Sequence, residues 1–452
     1  MEGGQAVIDN DSKKHVVIVG GGFAGLSCAR KLAKSDEVRV TLIDKNNFHQ
    51  FQPLLYQLAT SELGTDDVAT SLRQALHGHP NVDVKMGEVI AVNPATLTVS
   101  TRHGEIYQGD FLVLAAGSQA NFFGTTGAAE NAFPLYAVEE AQRLRSRILT
   151  VFEDADRDPK LLERGALNFV IVGGGPTGTE MAGALAGMIR GALMDEYPDL
   201  AVKKAQVYLV DHGTSLLAAF SEKAHAYAAK TLRRKGVDIR LGTSVKAVAP
   251  DHVLLSDGTS IQTRTVVWAG GLMASPLAAS TGLPQGHGGR IEVRPDLTVA
   301  GFPGVYALGD FANITGANGQ PMPQLASVAQ QCGEWTAKNI LAEIAGEERA
   351  PFHYHDKGIM AMIGRDAAVA EIGKKRHELD GPIAFAAWLG VHALLMSGVR
   401  QRIEAFIDWA WTYFSKSRPI QVLDRTDVRR IDWDEGTESG GSGTPPAVRT
   451  AR

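Results

Sequence analysis

At 452 residues the chain is too long for one hydrophobic core and divides into two or three domains, each large enough to fold. A formal net charge of −5 offers nothing global to a nucleic acid, and two cysteines, Cys28 and Cys332, exclude a disulfide framework or a cysteine-based metal site and fit a reducing cytoplasm. No N-terminal apolar h-region and no window of about 18 consecutive apolar residues is present, so neither export nor a spanning helix is expected, and any membrane contact is made from one side.

Residues 1–14 are polar and read as a flexible N-terminus. From His15 to Asp44 the sequence spells a complete βαβ unit: a strand from Val16 to Val19, Gly20, Gly22 and Gly25 in GxGxxG spacing, a helix, and a strand from Val38 to Ile43 closing on Asp44. Gly20 permits the tight turn, Gly22 lets backbone approach a pyrophosphate, and Gly25 lets helix pack on strand. Asp44 is the expected acceptor for ribose hydroxyls. The aromatic and amide-rich stretch around Pro53, NNFHQFQPLLYQLATSELGTDDVATSLRQAL, reads as a loop and short helix covering a cofactor. VDVKMGEVIAV, LTVST and IYQGDFLVLAAGS read as short strands, the last ending in Ala115, Ala116 and Gly117, small enough for a dinucleotide to lie alongside.

The chain leaves this unit near Asn121, and Glu139 to Asp154 reads as a charged helix. A second βαβ unit follows: a strand from Val170 to Val172, then Gly173, Gly175 and Gly178, a helix reaching about Leu193, and a strand from Gln206 to Val210 ending in Asp211. Two fingerprints about 150 residues apart are an internal repeat and imply two dinucleotides. Asp211 would repel a 2′-phosphate, and neither Arg nor Lys occurs between His212 and Glu222, so NADH is favoured over NADPH. Strands at Val237 to Leu241, Val253 to Leu255 and Thr265 to Trp268 complete the second unit. The chain then returns through VYAL to Gly309 and Asp310, an acid placed to accept from flavin polyol hydroxyls.

This order resembles the two-dinucleotide flavoprotein disulfide-reductase fold, and within it the type II NADH:quinone oxidoreductases, the non-pumping respiratory NADH dehydrogenases. The resemblance is carried by NNFHQFQPLLYQLATSEL, VIVGGGPTGTEMAGAL, VYALGDFAN, FHYHDKGIMAMIGRDAAVAEI and WLGVHALLMSGVRQRIEAFIDWAWTYF. It implies an α/β chain with two Rossmann-like dinucleotide-binding domains: an FAD domain (15–125 and 290–350) and an inserted NADH domain (126–289). After these come a C-terminal region for membrane anchoring and dimerisation (351–430) and a disordered tail (431–452). It further implies a tightly but non-covalently bound FAD, with NADH docking on one face of its isoalloxazine and a quinone approaching from the other side. Chemistry of this kind belongs to the cofactor, and the protein supplies orientation and electrostatics. Cys28 and Cys332 are expected to pack in the core, since neither has a partner for a disulfide relay.

Glu180, two residues after Gly178, reads by itself as an acid in the first turn of the second helix, favoured by the helix dipole. The resemblance places the matching glutamate beside nicotinamide and flavin and assigns it a catalytic role. Family members read Ala-Gln-x-Ala-x-Gln at the quinone side, whereas here Ala326, Ser327, Val328, Ala329, Gln330 and Gln331 stand there, with a shorter serine in place of the first glutamine. By the resemblance Gln331 and Lys357 join Glu180 as catalytic candidates, and Ala326, Ser327, Gln330 and Gln331 are the quinone-site candidates. Between Pro382 and Ser417 two dense apolar stretches are separated by Arg400 and Arg402, and read as amphipathic helices suited to a headgroup boundary, a dimer interface or ordinary packing. The resemblance implies both of the first two roles: a homodimer held peripherally on the cytoplasmic face of the cell membrane. His392 reads as a satisfied histidine, and no metal is expected. A soluble diaphorase or ferredoxin-type reductase on the same scaffold stays open because of Ser327, and a flavin-carrying sensor fits less well with Asp211 and Glu180 present together.

Overall fold

The computed structural model describes residues 13–316, 319–373, 375–396, 398–415 and 418. Runs of valine, isoleucine and leucine buried on both faces form two five-stranded parallel sheets. The first joins Lys14–Val19 (β1), Val38–Asp44 (β2), Val82–Met86 (β3), Phe111–Leu114 (β4) and the returning Val305–Ala307 (β10), in the order β10-β4-β1-β2-β3. The second joins Phe133–Pro134 (β5), Asn168–Val172 (β6), Gln206–Val210 (β7), Val237–Arg240 (β8) and Thr265–Trp268 (β9), in the order β5-β9-β6-β7-β8.

The repeat extends to register and to connections. Val19 lies opposite Ile43 and Leu114, as Val172 lies opposite Val210 and Trp268. In each unit a three-stranded antiparallel meander, over residues 89–108 and 245–262, precedes the strand that pairs on the other side of the fingerprint strand, β4 or β9. Ser118–Ala120, leaving the first unit, pairs antiparallel with Leu272–Ala274, leaving the second, so the two crossings run side by side.

Helix α1 (Phe23–Leu32) packs on helix α5 (Ala326–Ile344) backbone to backbone: a β-carbon on Gly333 would stand 2.1 Å from the Ala24 carbonyl oxygen. Cys28 and Cys332 lie buried around this crossing, and burial pushes the Cys332 thiol up to about 12 and Cys28 further. Neither is a thiolate at neutral pH, which leaves both as packing residues.

Several boundaries differ from expectation. Lys14 belongs to β1, its N–H bonded to the Glu37 carbonyl and its Nζ paired with Asp110, each at 3.0 Å. Residues 1–12 and the tail 431–452 lie outside the described residues. The charged helix spans Val138–Arg157 (α3), started by Glu140, whose carboxylate accepts from the Tyr136 and Ala137 amides. The helix after the second fingerprint is α-helical only over Pro176–Met188 (α4) and ends in a π-turn, Ile189–Leu193, where Gly191 adopts a non-helical ψ of −105°.

The C-terminal region holds more than helices. Gly358–Gly364 (β11), Ala367–Ile372 (β12) and His377–Asp380 (β13) form an antiparallel sheet between α4 and the helix Gly381–Leu395 (α6), followed by Val399–Ser415 (α7). Helix α6 carries no Asp, Glu, Lys or Arg and one histidine, His392, so the amphipathic expectation fails for it: it is apolar around most of its circumference. Ala384, Trp388 and His392 face inward, four residues apart, as do Gln401, Ala405 and Trp409 on α7. Outside, Ile383, Leu394, Ile403, Phe406, Trp411 and Phe414 are more than half exposed. No helix among the described residues is long and apolar enough to cross a membrane.

Candidate active site

The two glycine loops are near-copies in geometry. Gly20 and Gly173 take φ of +103° and +109°, and a β-carbon on either would stand 2.2 or 2.4 Å from the carbonyl oxygen of Ala115 or Ala269 on the adjoining strand. A β-carbon on Gly25 or Gly178 would meet the Gly20 or Gly173 carbonyl at 1.8 Å, so helix and loop are in backbone contact. Gly22 and Gly175 differ: nothing lies within 4 Å of an added β-carbon, and each is the N-cap of its helix with no side chain capping the first amides. Open space beside uncapped helix N–H groups is what a pyrophosphate requires, and both loops fit a dinucleotide.

Each acid at the strand end first orders its own loop. Asp44 accepts from the Gly21 amide at 2.6 Å and the Asn46 amide at 2.7 Å, and Asp211 accepts from Gly174 and Gly213, both at 2.5 Å. Every carboxylate oxygen retains lone pairs for ribose hydroxyls. Burial raises Asp44 above the usual carboxylate range, and the two amides oppose this. Asp310 follows Gly309, whose φ of +58° fits between the β-carbons of Ala24 and Ala329. Its Oδ2 accepts from Ser118 Oγ at 3.0 Å and from the Tyr136 hydroxyl at 2.8 Å, and burial raises it too. Gly117, φ +67°, precedes Ser118.

Ser118 and Tyr136 come from the crossing segments and had no sequence signal. His49 was likewise not singled out. It is buried, donates from Nδ1 to the Gly21 carbonyl at 3.0 Å, meets Phe23 edge-on, and is lowered by burial to about 4, hence neutral.

Glu180 lies in the second turn of α4, not the first, and is 8% exposed. A helix-dipole role therefore does not account for it. Its Oε1 accepts from the Met362 amide on β11 at 3.1 Å, and α4 reaches β11 because a β-carbon on Gly183 would be only 2.2 Å from the Ile363 carbonyl. Burial raises Glu180 to about 8, opposed by the Met362 amide and by Trp388, whose indole N–H makes no well-formed hydrogen bond. Beside it stand Tyr56 from Leu55–Ala59 (α2) and Trp388, with Trp409 on the Trp388 ring, all buried.

The other candidates are placed differently. Ala326, Ser327, Gln330 and Gln331 occupy the first turns of α5, where Ala329 and Cys332 pack on Gly309. Ser327 Oγ bonds the Tyr354 hydroxyl at 2.9 Å. Gln331 is not a free amide: its Nε2 donates to the His355 carbonyl at 3.0 Å and its Oε1 accepts from the His355 amide at 2.8 Å, so it clamps the strand-like segment before β11. Lys357 is exposed, just before β11. His392 is buried, stacked on Trp388 at 3.8 Å, and donates to the Trp388 carbonyl.

Residues 14–333 match the family described as pyridine nucleotide-disulphide oxidoreductase. The chain is 38% identical over 445 residues, 94% of either chain, to type II NADH:quinone oxidoreductase Ndh of Mycobacterium tuberculosis. The chain belongs to the type II NADH:quinone oxidoreductase family. A further member from Haemophilus influenzae is 29% identical over 84% of this chain and 93% of its own. In structure the chain is similar to the NDH2 of Plasmodium falciparum solved with NADH, with a TM-score of 0.82 over 89% of this chain and 98% of that one, at 19% identity. The sulfide:quinone oxidoreductase of Aquifex aeolicus shares the fold at a TM-score of 0.68 and 17% identity, but both cysteines of the present chain are buried thiols.

Because Gly175 has an ordinary φ of −70° and open space, Gly175→Val is expected to keep the thermal midpoint while weakening NADH binding roughly tenfold or more by calorimetric titration. Gly178→Ala, forced against the Gly173 carbonyl, is expected to cost about 1–3 kcal/mol of stability instead. Unchanged NADH affinity in Gly175→Val would remove the second loop as the nucleotide site.

The folded protein holds the Glu180 proton more tightly than the unfolded chain. The wild type therefore loses stability as pH rises from the unfolded value of ~4.3 to about 8, by an amount on the order of several kcal/mol. Glu180→Gln is expected to melt well above wild type at pH 9 and level with it at pH 4, in thermal scans across that range.

Proposed function

We propose that the protein oxidises NADH and passes two electrons to a membrane quinone, using a non-covalently bound FAD and pumping no protons. The observation that carries this reading is the pair of matching dinucleotide cradles on two sheets joined at one crossing, with a buried carboxyl at their junction with the C-terminal sheet. Bound FAD supplies the two-electron redox chemistry that links hydride donor to quinone.

The residues divide as follows. Gly20, Gly22 and Gly25 hold the FAD pyrophosphate, Asp44 its ribose, and Asp310, kept in place by Ser118 and Tyr136, its polyol chain. The loop shaped by Gly173 and Gly178, open beside Gly175, would hold the NADH pyrophosphate and Asp211 the ribose, excluding a 2′-phosphate by charge. The overall reaction, NADH + H⁺ + quinone → NAD⁺ + quinol, takes up one proton from solution. Glu180, raised to about 8, is protonated at neutral pH in a water-poor pocket and is the group we assign to hold and release it. Ser327 and Gln330 face the acceptor side, with Gln331 shaping it through His355.

The exposed apolar faces of α6 and α7, flanked by Arg400 and Arg402, are read as the surface that seats a homodimer on the cytoplasmic face of the membrane. On this reading the FAD unit comprises 15–125 and 290–350, and the NADH unit 126–289.

The purified flavoprotein is expected to oxidise NADH faster than NADPH and to reduce menaquinone or ubiquinone analogues. Turnover with ferricyanide alone would make it a diaphorase, and faster NADPH oxidation would sink the role of Asp211. Membrane seating is checked by liposome sedimentation: the triple variant Leu394→Glu, Phe406→Glu and Phe414→Glu is expected to stay in the supernatant while the wild type pellets, and equal pelleting would refute the proposed face.

A further inference from the structure

Between the C-terminal helix α7 and Met362, the residue whose amide bonds Glu180, runs a chain of hydrogen bonds with a single possible direction. The Trp409 indole N–H can only donate, and it donates to Gln57 Oε1 at 2.8 Å. This fixes the carboxamide, so Gln57 Nε2 points to the Tyr56 hydroxyl oxygen and donates to it at 3.2 Å. With its oxygen accepting from that side, Tyr56 sends its own proton onward, to Met362 Sδ at 3.3 Å. A thioether is among the weakest acceptors in proteins. The backbone N–H of the same Met362 donates to Glu180 Oε1. All five side chains are buried.

We propose that Gln57 and Tyr56 are positioning residues through which α7 holds a hydroxyl proton toward the Met362–Glu180 pair. This deepens, and rests on, the reading of Glu180 as the proton-holding group. The hydroxyl, poorly satisfied by sulfur, is an oriented dipole whose positive end stabilises the Glu180 anion. Tyr56 feels that carboxylate in turn, since Glu180 raises it along with burial. Other charges around the chain are compensated or neutral. Glu62 and Arg418 pair at 2.5 Å, Arg418 also donating to the Thr60 and Ala184 carbonyls. His392 is lowered by burial to about 4. Lys235, beside Gly364 at the end of β11, is lowered by burial and countered by Asp366 and Glu62. The inward face of α7 thus tunes a carboxyl that it never touches.

The test is an infrared pH titration of the holoenzyme, following the carbonyl band of the buried carboxylic acid identified by its loss in Glu180→Gln, alongside the pH profile of kcat. Tyr56→Phe, Gln57→Leu and Trp409→Phe are each expected to raise the band midpoint by about half a pH unit or more, with the kcat profile moving in parallel. Ile106→Ser, exposed on the first meander, is expected to leave it in place. Midpoints equal to wild type in Gln57→Leu and Trp409→Phe would overturn the proposal while leaving Glu180 as the titrating group. A band that survives Glu180→Gln would overturn the reading of Glu180 itself, and the proposal with it.

Discussion

Two backbone contacts, Gly25 on the Gly20 carbonyl and Gly178 on the Gly173 carbonyl, set the terms for the rest of the molecule. No side chain fits at either point, so each helix N-terminus is drawn against the end of its central strand. The amide-bonded carboxylates Asp44 and Asp211 then hold the loop from the other side. What remains open is the space beside Gly22 and Gly175. A site made in this way is rigid because it is backbone, and it is empty of side chains because close packing on one side forces the loop open on the other.

The same device recurs where the C-terminal region joins. Gly183 lets α4 approach the Ile363 carbonyl, and that contact buries Glu180 under β11. Burial raises the carboxyl into the neutral range. Aromatic rings then close the pocket: Tyr56 and Trp388 edge to face, Trp388 against Trp409, His392 stacked on Trp388. Helices α6 and α7 therefore have two tasks on opposite faces. Their inner stripes complete the pocket around Glu180, and their outer faces leave large apolar side chains exposed.

The βαβ units were legible because their signals are local. A valine-rich strand, three glycines at set spacing and a terminal acid follow one another within about 30 residues, and the structure places them as expected. The meander strands at 245–248 and 260–262 were not legible, since short and partly exposed strands carry little hydrophobic alternation. The sheet β11–β13 hid behind its neighbours, because its pattern acquires meaning only once α4 and α6 cover its faces. Gln331 and Lys357 were found by position alone, and the structure adds what no position shows: one amide bonds the His355 backbone, and one ammonium is exposed. Ser118 and Tyr136 converge on Asp310 from 192 and 174 residues away, beyond any motif.

The sequence by itself determined that the chain holds two βαβ units, each with a glycine fingerprint and a strand-end acid, because glycine spacing and a strand-end acid are properties of neighbouring residues. Only the tertiary structure decided what Glu180 is. Its position after Gly178 suggests a solvated acid at a helix start, but the contact of α4 with β11 and the aromatic cover from α2 and α6 remove it from water. Desolvation is a property of everything packed around a group, and no stretch of sequence contains it.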